Sequence, residues 1–310
     1  MPSLLPVSFA GMNDHRLRGY RTVLAADGHQ IAAGTAELRS GQFHDVVLAG
    51  DVAYRFPRDS ESRRALPRRV ALLAALAAAR LPVAIPAPVC AQGELARERM
   101  YRPVGSCYVA LSRLPGQPAD AVTPDAGRAS AQLAGQLADL LDQLARLGTE
   151  AAIRQAVPAA QASEWRDWAG QVRRVLFPLM SQAGRDRADA ELTAVQKVAA
   201  TGDALVHTDL GGANLLLTAG SGAALGEPAV TGILDWDGAR VGNQANDLAS
   251  LAVTFGWPLA AQIDQLRQSA SGPLLSSARV IAATFALQQA LPAALSGDTA
   301  SLDDGLMTYR

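Results

Sequence analysis

Two short apolar runs, Ala204–Val206 and Val230–Leu234, each run into a polar loop that carries carboxylates. The first leads into His207-Thr-Asp209-Leu-Gly-Gly-Ala-Asn214 and the second into Asp235-Trp-Asp237. Short apolar runs bounded by Gly and polar residues read as buried strands. Strand ends hold the roots of their loops rigidly, so polar side chains placed there keep a fixed geometry. A lone Asp in such a place is ordinarily a turn former or a helix cap. Two such segments in order, with an Asn five positions after the first Asp, ask for a chemical reason.

Phosphoryl transfer from a nucleotide supplies one. It needs a carboxylate to orient and deprotonate an acceptor hydroxyl, and a carboxylate plus a carboxamide oxygen to hold Mg²⁺ on the phosphates. Asp209, Asp235 and Asn214 are that inventory, in the order kinases use. The three residues together are the candidate site for that chemistry.

The rest of the chain has room for such an enzyme. Its 310 residues suffice for one large domain or two modest ones. Hydrophobic residues make up 49% and charged ones 18%, a globular composition, and the net charge of -1 argues against a polyanionic partner. No nucleic acid is expected. Cys90 and Cys107, both in apolar or aromatic surroundings, read as buried thiols of a reducing compartment. Met1–Gly11 lacks the basic start and long apolar core of a signal peptide, and Val70–Ala79 is too short to cross a bilayer. A cytoplasmic protein without a membrane partner is expected, as monomer or homodimer.

Along the chain the first 30 residues give little pattern. Strands are predicted at Thr35–Arg39, His44–Leu48 and Val52–Phe56, with turns at Ser40-Gly41-Gln42 and Ala49-Gly50-Asp51. Ser60–Ala79 reads as a helix with Pro67 in its first turns, Pro82 to Pro88 as an extended crossing, and Tyr108–Leu111 as a fourth strand. After Pro118 the pattern becomes helical. Leucines 133, 137, 140, 141 and 144 form one stripe of a helix over Ala126–Leu147. Further helices are predicted at Glu164–Met180, with Trp165, Trp168, Val172, Val175, Leu176 and Leu179 inward, and at Arg185–Ala200, Ala245–Val253, Leu259–Gln268 and Ser277–Leu291. The fold class is α+β and bilobal: a small antiparallel-sheet lobe over 1–114 binding the nucleotide, and a large, mainly helical lobe over 115–310 binding the acceptor.

HTDLGGANLLL followed by GILDWDGARVGNQANDLASLA resembles the aminoglycoside phosphotransferase-like kinase superfamily, whose motifs run H-G-D-L-x-x-x-N and I-D-W-x-x-A-x-x-G-D-x-x-x-D-L-A. The resemblance implies a protein-kinase-like fold, Asp209 as the catalytic base, Asn214 and Asp235 as Mg²⁺ ligands, and a loop braced by His207 and steadied from behind by Asp247. Thr208 stands where the family usually has Gly, and Asn243 where it often has Asp. A narrower similarity to the viomycin and capreomycin (tuberactinomycin) kinases is carried by GQFHDVVL, EWRDWAGQVRRVLFPLMSQAGRDRADAEL, FALQQAL and the ending DDGLMTYR. It implies transfer to a hydroxyl of a basic cyclic peptide. Asp237 is the candidate carboxylate for a cationic acceptor.

The nucleotide lobe departs from kinase pattern. The third strand carries Arg55 where a phosphate-binding lysine is expected, with Arg58 just beyond, and Arg69 lies near the place of the glutamate that would hold that lysine. Arginine also meets phosphate, often bidentately. Arg55 is the favoured contact and Arg58 the second. Gly41, Gln42 and Phe43 are expected to cover the phosphates with backbone N–H groups, and the main chain of Leu111 to Arg113 to pair with the base of ATP or GTP. Macrolide, aminoglycoside or metabolite kinases remain alternatives within this chemistry. Outside it stand a non-catalytic nucleotide-binding module and a metal-dependent hydrolase.

Overall fold

A computed structural model describes residues 9–32, 34–41, 43–89, 100–122, 131–220, 226–267 and 274–310. The chain forms two compact units: Met1–Arg80 with Ala84–Pro115, and Leu81–Val83 with Gly116–Arg310. A small antiparallel-sheet unit and a larger, mainly helical one make the bilobal α+β arrangement expected from the sequence.

The first unit opens with helix α1 (Phe9–Ala26), followed by strands β1 (Ala36–Ser40), β2 (His44–Ala49) and β3 (Val52–Pro57). Helix α2 (Ser60–Ala79) and strand β4 (Val109–Ser112) complete it, and the sheet runs β1-β2-β3-β4, all antiparallel. Ala49 pairs with Val52 across a two-residue turn whose Gly50 takes φ 57, which Gly adopts without a Cβ penalty. Alternation along the strands separates two faces. Val47, Tyr54 and Phe56 face one way and form a core with Leu24, Tyr108 and Ala110. Helix α1, which the sequence did not reveal, covers this face. Its Tyr20 ring stacks on Phe56 with centroids 4.1 Å apart. Tyr20 and Arg16 also converge on Asp45, a fully buried carboxylate on β2; the Tyr20 hydroxyl donates at 2.7 Å and Arg16 forms an ion pair. Asp59 caps α2 by accepting from the Ser62 N–H at 2.7 Å, and Pro67 lies inside that helix, about two turns from its start.

The second unit begins with β5 (Gln117–Pro118), α3 (Ala119–Val122) and α4 (Ala131–Leu147). The five leucines of the α4 stripe are fully buried; the predicted start of this helix falls at residues 126–130, outside the described residues. Next come α5 (Ala151–Ala156), α6 (Glu164–Val175) and α7 (Gln182–Val195). The helix predicted over Glu164–Met180 stops at Val175, because Pro178 has no N–H to continue it, and a 3-10 turn follows at Phe177–Leu179. Leu179 is consequently exposed rather than inward. The remaining predicted members of that face, Trp165, Trp168, Val172, Val175 and Leu176, are buried or partly buried.

Strands β6 (Ala204–Val206), β7 (Leu215–Gly220), β8 (Gly226–Ile233) and β9 (Arg240–Gly242) then form two small sheets, β5-β7-β8 and β6-β9. Helices α8 (Ala245–Phe255), α9 (Trp257–Leu266), α10 (Leu275–Ala283), α11 (Phe285–Ser296) and α12 (Thr299–Leu306) close the unit. The single helix expected over Ser277–Leu291 is two, divided at Thr284, whose buried hydroxyl donates to the Ile281 carbonyl at 2.7 Å. Leu275–Ser296 is, among the described residues, the one stretch long and apolar enough to cross a bilayer, with mean hydropathy 1.2. Here it is a core element: Ala278, Ile281, Leu287 and Ala290 are fully buried. Cys107 is a buried free thiol, and Cys90 lies outside the described residues.

Candidate active site

Three backbone ladders place the polar residues of the second unit. Strand β6 delivers His207, β8 delivers Asp235, and β7 starts one residue after Asn214. The Leu234 N–H donates to the Asn214 carbonyl at 2.8 Å, continuing the β7–β8 pairing of Leu215 with Ile233. Asn214 and Asp235 are thus held at the same end of one hairpin. Within the first loop, the Asn214 carboxamide donates to the Asp209 carboxylate at 2.8 Å and to its carbonyl at 3.0 Å. Asp209 and Asp235 are both exposed, and Asp237 is half-buried in the 3-10 turn Trp236–Gly238.

Behind these groups lies a satisfied polar frame. His207 is fully buried, packed edge-on against Trp236 with centroids 4.8 Å apart. Its Nε2 sits 2.7 Å from the Leu234 carbonyl, and its Nδ1 accepts the Asp209 N–H at 3.3 Å. One neutral tautomer, with the proton on Nε2, satisfies both contacts. The ring therefore ties the end of β8 to the backbone of Asp209. Asp247, also fully buried, accepts the His207 N–H at 3.0 Å on one oxygen and the Thr208 N–H at 2.8 Å on the other. Burial pushes its carboxyl above the usual range, against the opposing pull of the His207 ring, those N–H groups and Arg240.

Thr208 adopts φ 74, a left-handed conformation that costs a branched side chain about 1–2 kcal/mol. Two hydrogen bonds offset this: its N–H to Asp247, and its hydroxyl to the Gly238 carbonyl at 3.2 Å. A Cβ at Gly238 would collide with that hydroxyl. Asp235 is likewise left-handed, at φ 53.

In the first unit, Arg55 and His44 lie on the sheet face opposite the aromatic core, as the strand alternation requires. An Arg55 guanidinium nitrogen is 3.2 Å from His44 Nδ1, and an Arg69 nitrogen is 2.8 Å from His44 Nε2. His44, unnoticed in the sequence, is thus bracketed by two guanidinium groups. Arg58 instead braces the β1–β2 turn. Its guanidinium donates to the Gly41 carbonyl at 2.8 Å, and its backbone N–H to the Phe43 carbonyl at 2.9 Å. The Gly41 N–H, expected to face phosphate, donates to the His44 carbonyl at 2.8 Å. Gln42 lies outside the described residues, and Phe43 is exposed. Within the segment Leu111 to Arg113, whose main chain is expected to pair with a base, the Arg113 N–H donates to the Asp51 carbonyl at 2.8 Å and that of Ser112 to the Ala87 carbonyl at 2.8 Å. Leu111 pairs with Ala53 in the sheet, its side chain buried.

A small antiparallel-sheet unit, joined to a helical one that carries an Asp–Asn loop and a second carboxylate at a strand end, defines a kinase-like phosphotransferase. The profile of the "Phosphotransferase enzyme family" matches residues 34–281, and the chain belongs to that family. It is 36% identical over 277 residues to viomycin phosphotransferase of Streptomyces vinaceus, covering 89% of this chain and 93% of the relative. Its fold matches that of aminoglycoside 2'-phosphotransferase-IIIa in a GDP complex, with TM-score 0.73, 22% identity, and coverage of 94% of this chain and 96% of that one. It also matches macrolide 2'-phosphotransferase MphH from Brachybacterium faecium, with TM-score 0.68, 22% identity, and coverage of 92% and 97%.

Proposed function

We propose that this phosphotransferase moves the γ-phosphate of ATP to a hydroxyl of a basic cyclic-peptide antibiotic of the viomycin and capreomycin class. The observation that carries the reading is the Asn214–Asp209 hydrogen bond, with Asp235 at the same end of the β7–β8 hairpin as Asn214. Asp209 receives the acceptor's proton and aligns its oxygen for in-line attack. Since the Asn214 nitrogen is spent on Asp209, its amide oxygen is left to face a cation. That oxygen and the Asp235 carboxylate are hard donors of the kind Mg²⁺ takes together with phosphate oxygens, and they would hold it. When bound, the ion would neutralise charge on the transferred group. Arg55 is the reading for the phosphate contact in the first unit.

The 36% identity to viomycin phosphotransferase supports the acceptor class, and Asp237, two positions beyond Asp235, is the carboxylate read as meeting its cation. Incubation of the enzyme with ATP or GTP and a panel of viomycin, capreomycin, kanamycin and a macrolide, followed by mass spectrometry, tests the proposal. One added phosphoryl group on a tuberactinomycin is expected. Phosphorylation of the macrolide or kanamycin alone would transfer the reading to that acceptor. Release of free phosphate without any modified acceptor would point to hydrolysis.

A further inference from the structure

Beside the catalytic loop, the second unit contains two recesses of about 400 Å³ each. They share Glu164, Trp168 and Arg240 as walls, and so are adjoining compartments of a trough around those side chains. At one end the trough reaches Thr208 and Gly238, the neighbours of Asp209 and Asp237 in the chain. At the other it reaches Asp167 and Gln171 on α6. Such a space is large enough for an arm of a ligand rather than for a whole cyclic peptide.

The walls specify the chemistry of that arm. Glu164 and Asp167 line the trough with two carboxylates; Arg240 sits on the first, and Arg166 reaches the second only loosely, at 3.8 Å. Trp165 and Trp168, in edge-to-face contact at 5.7 Å, supply indole surface, to which cations are attracted. Arg240 and Glu164 form an ion pair. A guanidinium therefore already rests in the trough on the carboxylate that an incoming cation would use. Two donors are left over. Trp165 is 6% exposed, and neither its Nε1 nor the Nε of Arg240 has a hydrogen-bond partner among the described residues. Both atoms are closed off from solvent. Buried donors without acceptors are uncommon, and each calls for a partner such as a water, an ion or a ligand oxygen.

We propose that the trough around Glu164, Trp165, Trp168 and Arg240 is the subsite for a cationic arm of the acceptor, with Arg240 as the resident surrogate for the ligand's own cation. An arriving ammonium or guanidinium takes over Glu164 and Asp167 above the Trp168 ring. An adjacent ligand oxygen, such as a peptide carbonyl, accepts from the released donors. This deepens the proposed function and rests on it.

Calorimetric titration of the full chain with viomycin, without nucleotide, provides the test. Binding to the wild type should weaken with added NaCl, and Glu164→Gln and Asp167→Asn should each weaken it at least tenfold. Arg240→Gln, which clears the resident cation, should tighten it several-fold. Should Glu164→Gln fail to fold, Asp167→Asn decides alone, since its carboxylate is exposed and its ion pair with Arg166 is a loose one at 3.8 Å. Wild-type affinity in both carboxylate variants, alongside phosphorylation of viomycin, would overturn the subsite and leave the function standing. A wild type that neither binds nor phosphorylates viomycin overturns both.

Discussion

The hydroxyl of Thr208 donates to the carbonyl of Gly238, and Gly238 is the only residue that fits against it. The two segments predicted from sequence to carry the chemistry thus touch through a pair whose members constrain each other. Gly238→Ala should lower kcat by about 10²-fold, the scale set by displacing a catalytic group by an ångström. Thr208→Gly should be tolerated, because it relieves a left-handed residue while losing one hydrogen bond. The double variant should recover most of the activity lost in Gly238→Ala, and steady-state kinetics of all three will show it. Equal loss in single and double variants would sink the coupling.

Asp209→Ala removes the group assigned as base without touching the buried frame of His207 and Asp247. Nucleotide should still bind, with a dissociation constant within a few-fold of wild type, while phosphorylation falls by about 10²–10⁴-fold, the usual contribution of a positioned base. Near-wild-type turnover would remove Asp209 from its role.

Asp247→Asn should act through the loop. An amide offers one acceptor oxygen where the carboxylate serves two N–H groups. One buried N–H is then left facing an NH₂, which costs about 1–3 kcal/mol. A lower thermal midpoint together with a lower kcat is the expected pair of results.

Arg55 and His44 can be separated from Arg58 by nucleotide kinetics. Arg55→Ala should raise the KM for ATP about tenfold, corresponding to a lost charge-assisted contact of about 1.4 kcal/mol. His44→Ala should give a smaller rise by freeing the guanidinium that it positions. If Arg58→Ala exceeds Arg55→Ala, the phosphate contact belongs to Arg58, and its hold on the β1–β2 turn is secondary.

Tyr20 provides a pH test of the first unit. Burial, aided by its hydrogen bond to Asp45 and that carboxylate's charge, pushes the phenol from 10.0 up to about 12. Because the folded value is the higher one, the stability linked to the neutral phenol is complete below pH 10 and is lost as pH rises from there through about 12. Wild type should therefore lose thermal midpoint across that window faster than Tyr20→Phe, as differential scanning fluorimetry at stepped pH will record.

How far the sequence could be read depended on how local each signal was. The strands of the first unit and the leucine stripe of α4 follow from alternation and period over a few residues, so they were legible. The two segments that carry Asp209, Asn214 and Asp235 were legible for the same reason. Helix α1 was not: Arg16 and Tyr20 are polar on paper and become inward-facing only because Asp45 is waiting on β2. His44 gave no signal, since its two arginine neighbours come from a different strand and a helix. The N–H groups of Gly41 and Arg113 are taken up by the carbonyls of His44 and Asp51, pairings that no local pattern marks. The trough at Glu164 had one readable trace, two tryptophans three residues apart among acids, but its meaning depends on Arg240, far along the chain.

The arginine at the third strand has a practical consequence for discovery. Reagents that tag nucleotide-binding proteins by acylating an amine beside the phosphates need a lysine there, and Lys197 is the only lysine in this chain. Guanidinium is a poor nucleophile at neutral pH because it stays protonated. With Arg55 as the phosphate contact proposed above, proteomic surveys built on acyl-phosphate nucleotides should pass over this enzyme even when it is abundant and saturated with nucleotide. Its presence in an extract is better tracked by the modified acceptor than by labelling of the protein.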